Sequence, residues 1–477
     1  MEEAELGLIG LGVMGQSLAL NFNDHGIKIA AYDRDRQETT NFLKGKAKNT
    51  QIIGCDSFVE LVSKLAKPCR IMLMIKAGDP VDQVIDALVP LLSKGDIIID
   101  GGNSHYPDTI RRVKMLEENG LLFIGMGVSG GEQGARFGPA IMPGGNSEAW
   151  PSVKDFYQAI SANVDGKPCC QWIGDGGAGQ YVKMVHNGIE YGDMQLIAEA
   201  YQFMHEGMGL TYQQIQSVFR SWDEGVLNSY LIEITADIMG VVETSNEGAE
   251  VPLLESILDT AGQKGTGTWT VKSALEQGVP LTLIGEAVFA RTLSSLKDAR
   301  LKASKIYPKV GHITFQGDTQ QTLDALHDAL YASKIISYTQ GFMLMQEASE
   351  QYDWHLDFAN IALTWRGGCI IRSRFLNNIS QAFTSNPQLE NLLFDKFFIK
   401  AINESVEGWR KTIQLAISLA IPIPAFSSAL SFFDGYRCER TSANLLQAQR
   451  DYFGAHTYER VDKPRGAFFH TDWVNQK

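Results

Sequence analysis

Hydrophobic and polar positions alternate along the first third of the chain in blocks that predict strands separated by helices. Short apolar runs predict strands at 6–9, 27–32, 70–75, 96–100 and 121–128. A block with helical spacing, 16–26, lies between the first two of these runs and ends at Gly26. Because strands and helices alternate, we predict an N-terminal Rossmann-like α/β domain with a doubly wound, mostly parallel sheet.

Beyond the glycine-rich segment 174–179, the pattern changes to long helices with few strand signals. A Trp-x-x-Gly motif occurs at 222–225 and again at 365–368, each time after an apolar helix. This repeat predicts a large all-α domain with an internal duplication. The predicted parts are an α/β domain over 1–178, an all-helical domain over 179–437 and a C-terminal tail over 438–477.

The uncharged stretch 412–433 is long enough to span a bilayer. Pro422 and Pro424 interrupt it, and Gln414 and several serines dilute its hydrophobicity. We therefore predict two buried helices separated by Pro-Ile-Pro, and no contact with a membrane. The first residues of the chain do not have the basic segment of a signal peptide.

Composition narrows the class of protein. A length of 477 residues with 44% hydrophobic residues indicates a folded protein with a sizeable core. The formal net charge of −13 disfavours nucleic acid as a partner, although a few local cations still allow an anionic small molecule to bind. The six cysteines include no Cys-x-x-Cys pair, which argues against a metal or redox site. Scattered thiols without a secretion signal predict a cytoplasmic protein.

A glycine motif separates the first predicted strand from the first predicted helix. It reads G-x-G-x-x-G and comprises Gly10, Leu11, Gly12, Val13, Met14 and Gly15. Between a strand and a helix, such glycines allow a tight turn, let the backbone approach a pyrophosphate, and let helix and strand pack closely. The helix N-terminus then offers unpaired N–H groups to the phosphates. The alternative is a plain glycine-rich turn; the strand–turn–helix–strand setting favours a dinucleotide-binding domain over 1–178.

Asp33, Arg34 and Asp35 follow the second strand and give conflicting signals about the cofactor. An acid here bonds the ribose 2′-OH of NAD, whereas an arginine pairs with the 2′-phosphate of NADP. The later strands end in polar or glycine-rich turns at 76–78, 101–104 and 129–132. Because ligands of doubly wound sheets lie outside the carboxyl ends of the strands, we expect these turns to line the site.

A helix predicted around 183–191 carries its polar residues on one face. They are Lys183, His186, Asn187, Glu190 and Tyr191. Their spacing is the one that normally carries an apolar stripe, while Met184, Val185 and Ile189 occupy the other side. A solvated surface is the alternative, although such faces usually carry Lys, Glu, Gln and Arg. We predict that the apolar side packs into the domain and that the polar side faces solvent or a cleft.

Specific motifs occur along nearly the whole chain. They are GLGVMG, GGNSHYPDT, GVSGGEQGAR, KMVHNGIEYGDMQ, QKGTGTW, FARTLSSLKDAR and QAQRDYFGAHTYER. In these motifs the chain resembles the 6-phosphogluconate dehydrogenase family. The resemblance implies a homodimer in which the domain over 179–437 binds substrate and dimerises, and the tail reaches the partner subunit. It also implies NADP as the cofactor, no metal, and oxidative decarboxylation of 6-phospho-D-gluconate to D-ribulose 5-phosphate and CO2.

The same resemblance implies roles for individual residues. Lys183 matches the general base for the 3-hydroxyl, and Glu190 matches the acid that protonates C1 after CO2 leaves. The residues implied to hold the sugar acid are Asn103, Ser129, Gly130, Gly131, His186 and Asn187. Those implied to bind its phosphate are Tyr191, Lys264 and Arg291. Arg450 and His456 are implied to be substrate ligands lent by the neighbouring subunit's tail. Those implied to bind the cofactor are residues 10–15, Ile75, Lys76, Ala77 and Asn103.

The chain departs from the family at the cofactor, where NADP-type members usually have Asn-Arg-Ser/Thr in place of Asp33-Arg34-Asp35. One carboxylate about 5 Å from a unit anionic charge costs about 3 kcal/mol at an effective dielectric of about 20. The acids therefore predict a weaker preference for NADP and admit NAD.

Two other functions remain as alternatives. A different β-hydroxyacid dehydrogenase would share the nucleotide turn and the lysine, but it needs no phosphate-binding cations and such enzymes are much shorter. A non-catalytic dinucleotide sensor has no reason to keep both Lys183 and Glu190.

Overall fold

The computed structural model describes residues 3–245, 248–307 and 315–475. The chain divides into two compact units, Met1–Ala429 and Leu430–Lys477. The predicted boundary at 178 falls inside the larger unit, and the predicted start of the tail at 438 falls inside the smaller one. Both predicted domain boundaries stay predictions.

The N-terminal part of the larger unit is built on a sheet. Its strands are β1 (Leu6–Ile9), β2 (Ile29–Tyr32), β3 (Ile53–Gly54), β4 (Arg70–Leu73), β5 (Ile97–Asp100), β6 (Leu122–Val128) and β7 (Ile141–Gly145), followed by the hairpin β8 (Asn163–Val164) and β9 (Lys167–Pro168) and by β10 (Gly174–Asp175). In the described part of the chain, eight strands form one sheet in the order β10-β7-β6-β5-β4-β1-β2-β3. Neighbours pair in parallel except β6 and β7, which are antiparallel.

Helices cover both faces of this sheet, as the buried strands require. They are α1 (Val13–Asp24), α2 (Arg36–Lys44), α3 (Phe58–Ser63), α4 (Asp79–Leu88), α5 (Tyr106–Glu118), α6 (Gly131–Phe137) and α7 (Trp150–Ile160). Along β5, Ile97 and Ile99 belong to one hydrophobic cluster and Ile98 to another, because successive side chains point to opposite faces. The predicted Rossmann-like domain is confirmed, with strand bounds that differ from the predicted ones by one or two residues.

The rest of the larger unit is helical. It contains α8 (Ala178–Gln202), α9 (Tyr212–Asp223), α10 (Tyr230–Met239), the hairpin β11 (Val242–Thr244) and β12 (Glu250–Pro252), α11 (Leu253–Ser256), α12 (Thr266–Gln277), α13 (Thr282–Ser295), α14 (Lys297–Ile306), α15 (Thr319–Gln351), α16 (Phe358–Thr364), α17 (Leu376–Ser385), α18 (Lys396–Ser418) and the start of α19 (Pro424–Tyr436). A π-helical turn, Phe203–Gly207, follows α8. Helix α8 packs against β6 and β7 and also against α12, α13 and α15. It therefore links the sheet to the helical part.

The order of helices agrees with the predicted duplication. Each Trp-x-x-Gly motif lies at the end of a long helix followed by a shorter one. The first motif begins in the last turn of α9, which follows α8, and the second begins directly after α16, which follows α15. The connections that follow meet each other, because Ser229 and Ser373 form an isolated antiparallel bridge. The two long helices, α8 and α15, pack together at the centre.

The stretch 412–433 contains the end of α18 and the beginning of α19, separated at 419–423. The predicted break at Pro-Ile-Pro is confirmed. Within the described ranges, none of the helices combines the length and hydropathy that a membrane span requires.

The smaller unit contains helix α20 (Ala443–Gly454) and a short antiparallel pair, β13 (Tyr458–Glu459) and β14 (Phe468–Phe469). Asp451 of α20 is fully buried and accepts hydrogen bonds from the terminal segment 470–473. This carboxylate ties the terminal segment to the helix.

Candidate active site

The glycine turn between β1 and α1 is shaped for a phosphate group. Gly10 has φ 100°, and a Cβ there would lie 2.5 Å from the backbone oxygen of Met74. Both the positive φ and the short distance to the neighbouring backbone exclude a side chain at this position. Gly12 precedes α1, and among the described residues no side chain caps this helix and no acid lies in its first turn. Its N–H groups and positive dipole are therefore free to hold a pyrophosphate, so the turn fits a dinucleotide.

Beyond this turn, a cleft of about 330 Å³ lies at the carboxyl end of β2 and β4. Arg34 and Lys76 line it, and Ile75 and Phe58 contribute apolar surface. Two cations beside apolar walls suit the adenosine end of a dinucleotide and its 2′ substituent.

The two acids beside Arg34 both bond to the protein itself. Asp33 accepts hydrogen bonds from the N–H groups of Leu11 (2.7 Å) and Asp35 (2.9 Å). Asp35 caps α2 by accepting from the N–H of Gln37 at 2.9 Å. The two carboxylates therefore place negative charge beside Arg34, as the sequence predicted. They also hold the glycine turn and the start of α2 in place, which the sequence did not predict.

The turn after β5 carries Asn103, whose side chain is exposed. Asp100, which is fully buried, organises this turn by accepting from the Ser104 hydroxyl (2.6 Å) and the Gly102 N–H (3.0 Å). Gln180 of α8 donates to the Gly102 carbonyl at 3.0 Å. The turn is therefore fixed to the helix that carries the predicted catalytic residues.

The polar face of α8 is buried, so the alternative of a solvated surface is wrong. Lys183, His186 and Asn187 are 6%, 0% and 8% exposed. The Lys183 Nζ donates to Asn187 Oδ1 at 2.7 Å and lies 3.4 Å from His186 Nδ1. On the other side of the ring, His186 Nε2 lies 3.2 Å from the Ser129 hydroxyl. Glu190 follows one turn later, with a carboxylate oxygen 3.9 Å from His186 Nδ1.

Close packing against β6 fixes the start of the Lys183 side chain. A Cβ added at Gly127 would lie 2.3 Å from Lys183 Cβ and 2.8 Å from its Cγ. The strand and the helix approach each other at a distance that only glycine allows. The direction in which Lys183 points is therefore set by the strand that leads into Ser129 and Gly130.

Burial shifts the pKa value of each of these groups in the direction that favours its neutral form. It lowers the pKa of Lys183, against the opposing influence of Glu190 and Cys369. Burial and the nearby Lys183 together hold the pKa of His186 well below its usual value. Burial also raises the pKa of Glu190, although Lys183 and Arg291 oppose the shift. Both shifts run in the direction that favours an unprotonated amine and a protonated carboxyl, which is the direction an acid–base pair requires.

Tyr191 and Arg291 form a second cluster at the next turn of α8. The Arg291 guanidinium lies over the Tyr191 ring, 3.5 Å from its centroid. It also lies 3.4 Å from the Gly262 carbonyl, so it is held at the edge of the loop before α12. Lys264 of that loop is exposed, and among the described residues no contact joins it to this pair.

Other predicted residues lie at the ends of elements. Gly130, with φ 103°, precedes α6, and Gly131 begins it. Ala77 and Met14 are partly buried near the cofactor turn, while Val13 is largely exposed. Arg450 and His456 belong to the smaller unit and are exposed there.

Several residues around Lys183 were missed from the sequence. Thr266 accepts a hydrogen bond from the Asn187 amide at 3.2 Å, and the Trp365 ring meets the His186 ring edge-on at 5.6 Å. Cys369, which is buried, lies close enough to influence Lys183. Thr266 lies inside the QKGTGTW motif, and Trp365 begins the second Trp-x-x-Gly motif, which Cys369 directly follows. The motifs could have marked these residues as candidates, but not that they lie near Lys183.

Within the described ranges, no cluster of three or more His, Cys, Asp or Glu side chains is arranged to hold a metal ion. The groups available for chemistry are the buried amine of Lys183, the partly buried carboxyl of Glu190 and polar side chains, next to a turn that fits a dinucleotide. This combination of fold and site defines a dinucleotide-dependent oxidoreductase.

Comparison with known proteins identifies the family. The sequence family described as the NAD binding domain of 6-phosphogluconate dehydrogenase matches residues 5–174, and the C-terminal domain of 6-phosphogluconate dehydrogenase matches residues 179–473. The chain belongs to the 6-phosphogluconate dehydrogenase family.

Relatives match over nearly the full length. The decarboxylating 6-phosphogluconate dehydrogenase of Haemophilus influenzae is 58% identical over 99% of this chain and 97% of its own length. The human enzyme of that name is 55% identical over the same shares. A solved structure of Plasmodium falciparum 6-phosphogluconate dehydrogenase, described apo and with its cofactor NADP+ and its substrate 6-phosphogluconate, superposes with a TM-score of 0.94 at 44% identity, covering 98% of this chain and all of that one.

Proposed function

We propose that this chain catalyses the oxidative decarboxylation of 6-phospho-D-gluconate to D-ribulose 5-phosphate and CO2. The observation that carries the proposal is the line of Lys183, His186, Asn187 and Glu190 on α8, next to a glycine turn that fits a dinucleotide. The first three of these residues are buried and Glu190 is partly buried. Relatives named decarboxylating 6-phosphogluconate dehydrogenase, which match over nearly the full length, support the proposal. A bound nicotinamide dinucleotide supplies the acceptor for the hydride that leaves C3.

Lys183 is the group that takes the proton from the 3-hydroxyl. Its amine is buried and its pKa is lowered, which favours the neutral form that a base requires. Asn187 and His186 hold it at 2.7 and 3.4 Å. Once protonated, Lys183 donates to the C3 oxygen and stabilises the enol that forms when the carboxylate leaves as CO2.

Glu190 is the acid that protonates this enol at the carbon from which CO2 has left, which is C2 of 6-phosphogluconate and becomes C1 of ribulose 5-phosphate. Burial raises the pKa of its carboxyl, so it keeps a proton to higher pH than an exposed glutamate. It lies one helical turn beyond His186, which places it and Lys183 on the same face. A base and an acid on one face can act on neighbouring carbons of one substrate.

The remaining residues hold the substrate and the cofactor. Asn103, Ser129, Gly130 and Gly131 lie in the turns after β5 and β6 and bind the sugar acid, with His186 and Asn187 facing them. Tyr191, Arg291 and Lys264 bind the phosphate. Residues 10–15, Ile75, Lys76 and Ala77 bind the dinucleotide, with Arg34 at its 2′ position.

The test is an assay with 6-phosphogluconate and NADP+ or NAD+, in which reduced nicotinamide and CO2 are measured together. We expect one CO2 for each reduced nicotinamide. Reduced nicotinamide without CO2 would indicate a different β-hydroxyacid dehydrogenase. Dinucleotide binding with neither product would indicate a sensor.

Cofactor preference is expected to depend on Asp35. The substitution Asp35→Ser keeps an N-cap for α2 but removes a negative charge beside Arg34. We expect kcat/KM for NADP+ to rise by roughly tenfold, since much of the ~3 kcal/mol repulsion is screened at the surface. The value for NAD+, which has no 2′-phosphate, is the internal control and should not change. A large NADP+ advantage in the unsubstituted protein would contradict the predicted weak preference.

The pH dependence should report Lys183 and Glu190. As the pH rises, Lys183 loses its proton and kcat rises, with a midpoint below the lysine reference of about 10.4. Loss of the Glu190 proton should lower kcat as the pH rises through the pKa of this carboxyl, which burial raises above the glutamate reference of about 4.3. Glu190→Gln should lower kcat and remove the descending limb while it leaves the rising limb. Profiles of kcat against pH for both proteins provide the test, and a descending limb that persists in Glu190→Gln would argue against this role.

The assembly we propose is a cytoplasmic homodimer in which the tails are exchanged. The smaller unit exposes several large apolar side chains, among them Leu445, Leu446, Phe453, Val461 and Phe468. Clusters of this kind on a small unit favour docking on a second protein surface. Five of the six cysteines are buried free thiols, the state that a reducing compartment maintains.

A further inference from the structure

Asp451 is the most heavily hydrogen-bonded carboxylate of the smaller unit that we describe. Its Oδ1 accepts from the Thr457 N–H and from His470 Nδ1, both at 2.9 Å. Its Oδ2 accepts from the Thr471 N–H at 3.1 Å and from the Trp473 indole at 2.8 Å. Burial works against ionisation, but these hydrogen bonds lower the pKa of Asp451 to about 2. The side chain is therefore a buried anion with donors on both oxygens.

One of those donors belongs to a strained turn. Ala455 and Thr457 have φ 47° and 54°, in the left-handed region that non-glycine residues rarely adopt, and for a β-branched residue such as Thr457 this is a true outlier. Thr457 is held from both sides, because its carbonyl also accepts from Gln447 Nε2 at 2.5 Å. Strain of this kind persists only where surrounding contacts enforce it, and it concentrates at functional sites.

His456 lies between the two strained residues, and its ring packs over Gly454. A Cβ at Gly454 would lie 2.7 Å from the ring. Arg450 precedes Gly454 by four residues, so both lie on the same face of α20. Gln447 also accepts from the Arg450 guanidinium at 3.0 Å. The strained turn therefore brings His456 to the face that carries Arg450, and Gln447 links that turn to Arg450.

We propose that Asp451 is a positioning residue that holds the turn 455–457 so that Arg450 and His456 reach the substrate phosphate of the neighbouring subunit as one unit. The inference rests on the proposed function and on the proposed tail exchange. It adds that the exposed side chains of Arg450 and His456 bind the phosphate well only because a buried anion on the adjacent face of α20 forces an unfavourable backbone conformation between them.

The first test is Asp451→Asn in the full-length dimer. Asparagine keeps the size but not the charge, and its amide cannot accept hydrogen bonds on both sides. We expect KM for 6-phosphogluconate to rise at least about tenfold, with kcat and KM for the dinucleotide changed by less than about twofold, because only substrate binding is weakened. The matched control is Asp462→Asn, which removes an exposed tail carboxylate paired with Arg460 and should leave all three constants unchanged.

A second test asks whether Asp451 acts on the other subunit. Mixed dimers are prepared from one Lys183→Met chain and one Asp451→Asn chain. The remaining active site of such a dimer receives the tail of the Lys183→Met chain, whose Asp451 is intact. We therefore expect a KM like that of the unsubstituted protein at about half its kcat. A KM that stays raised would place Asp451 in its own subunit's site and overturn the inference.

If Asp451→Asn does not give a folded dimer, Trp473→Phe takes its place, because it removes one donor to Asp451 and keeps an aromatic ring. We expect a rise in KM for 6-phosphogluconate of a few-fold, about what the loss of one charge-assisted hydrogen bond produces, and restoration in the mixed dimer. An active protein whose KM is unaltered in both variants overturns the inference alone. An unsubstituted protein that does not turn over 6-phosphogluconate overturns the proposed function, and the inference with it.

Discussion

Replacing Lys183 with methionine is expected to lower kcat for 6-phosphogluconate by roughly 10³- to 10⁴-fold. Methionine keeps the length and apolar stem of the side chain, but it can neither accept the 3-hydroxyl proton nor return it to the C3 oxygen. General acid–base catalysis contributes about 10² to 10⁴ in rate, and this residue serves as base and then as acid. Because the lysine is buried, removing its charge should not destabilise the fold.

The matched control is Lys154→Met, which changes an exposed lysine of α7 in the same way. Its kcat should equal that of the unsubstituted protein. Steady-state kinetics give the turnover, and equilibrium titration gives dinucleotide affinity, which should be equal in all three proteins. Turnover that survives Lys183→Met would remove the base from the mechanism. Loss of dinucleotide binding along with turnover would mean that the substitution disturbs the fold rather than the chemistry.

The parts of this molecule that follow local rules could be predicted from the sequence. Strands β1, β2, β4, β5 and β6 read as short apolar runs because strands buried on both faces need no polar alternation. The polar face of α8 was visible because five residues repeat with the helical period. Periodicity could not decide whether that face met solvent or a cleft, because the answer depends on what packs against it.

What packs against α8 comes from distant parts of the chain. Thr266 and Cys369 come near Lys183 only through folding of the helical part, and a single sequence contains no sign of these pairings. For the acids beside Arg34, the sequence predicted one effect and missed another. Their charge indicated an effect on cofactor preference, but only the structure shows that they accept hydrogen bonds from the backbone N–H groups of Leu11 and Gln37. Lys264 was placed by resemblance, and it lies in an exposed loop.

Replacing Gly127 with alanine is expected to have the second large effect on activity, because Gly127 lies against Lys183. The new methyl group would begin 2.3 Å from Lys183 Cβ, which cannot rotate away because it is attached to the helix backbone. Protein interiors are too closely packed to absorb this overlap, so β6 and α8 must separate by about 1 Å at this point. Since a displacement of about 1 Å at reacting groups can cost roughly 10²-fold in rate, we expect kcat/KM to fall by about that factor.

The matched control is Gly285→Ala in α13, where an added Cβ meets no other atom within 4 Å and where alanine favours the helix. Its kinetics should be unchanged. Dinucleotide affinity should be retained in both variants, because the glycine turn at Gly10 lies after a different strand. A Gly127→Ala protein that remains folded and binds dinucleotide but loses activity would show that the strand positions the base. If kcat/KM is unchanged in that protein, the precise approach of β6 to α8 is not what holds Lys183 in its reactive orientation.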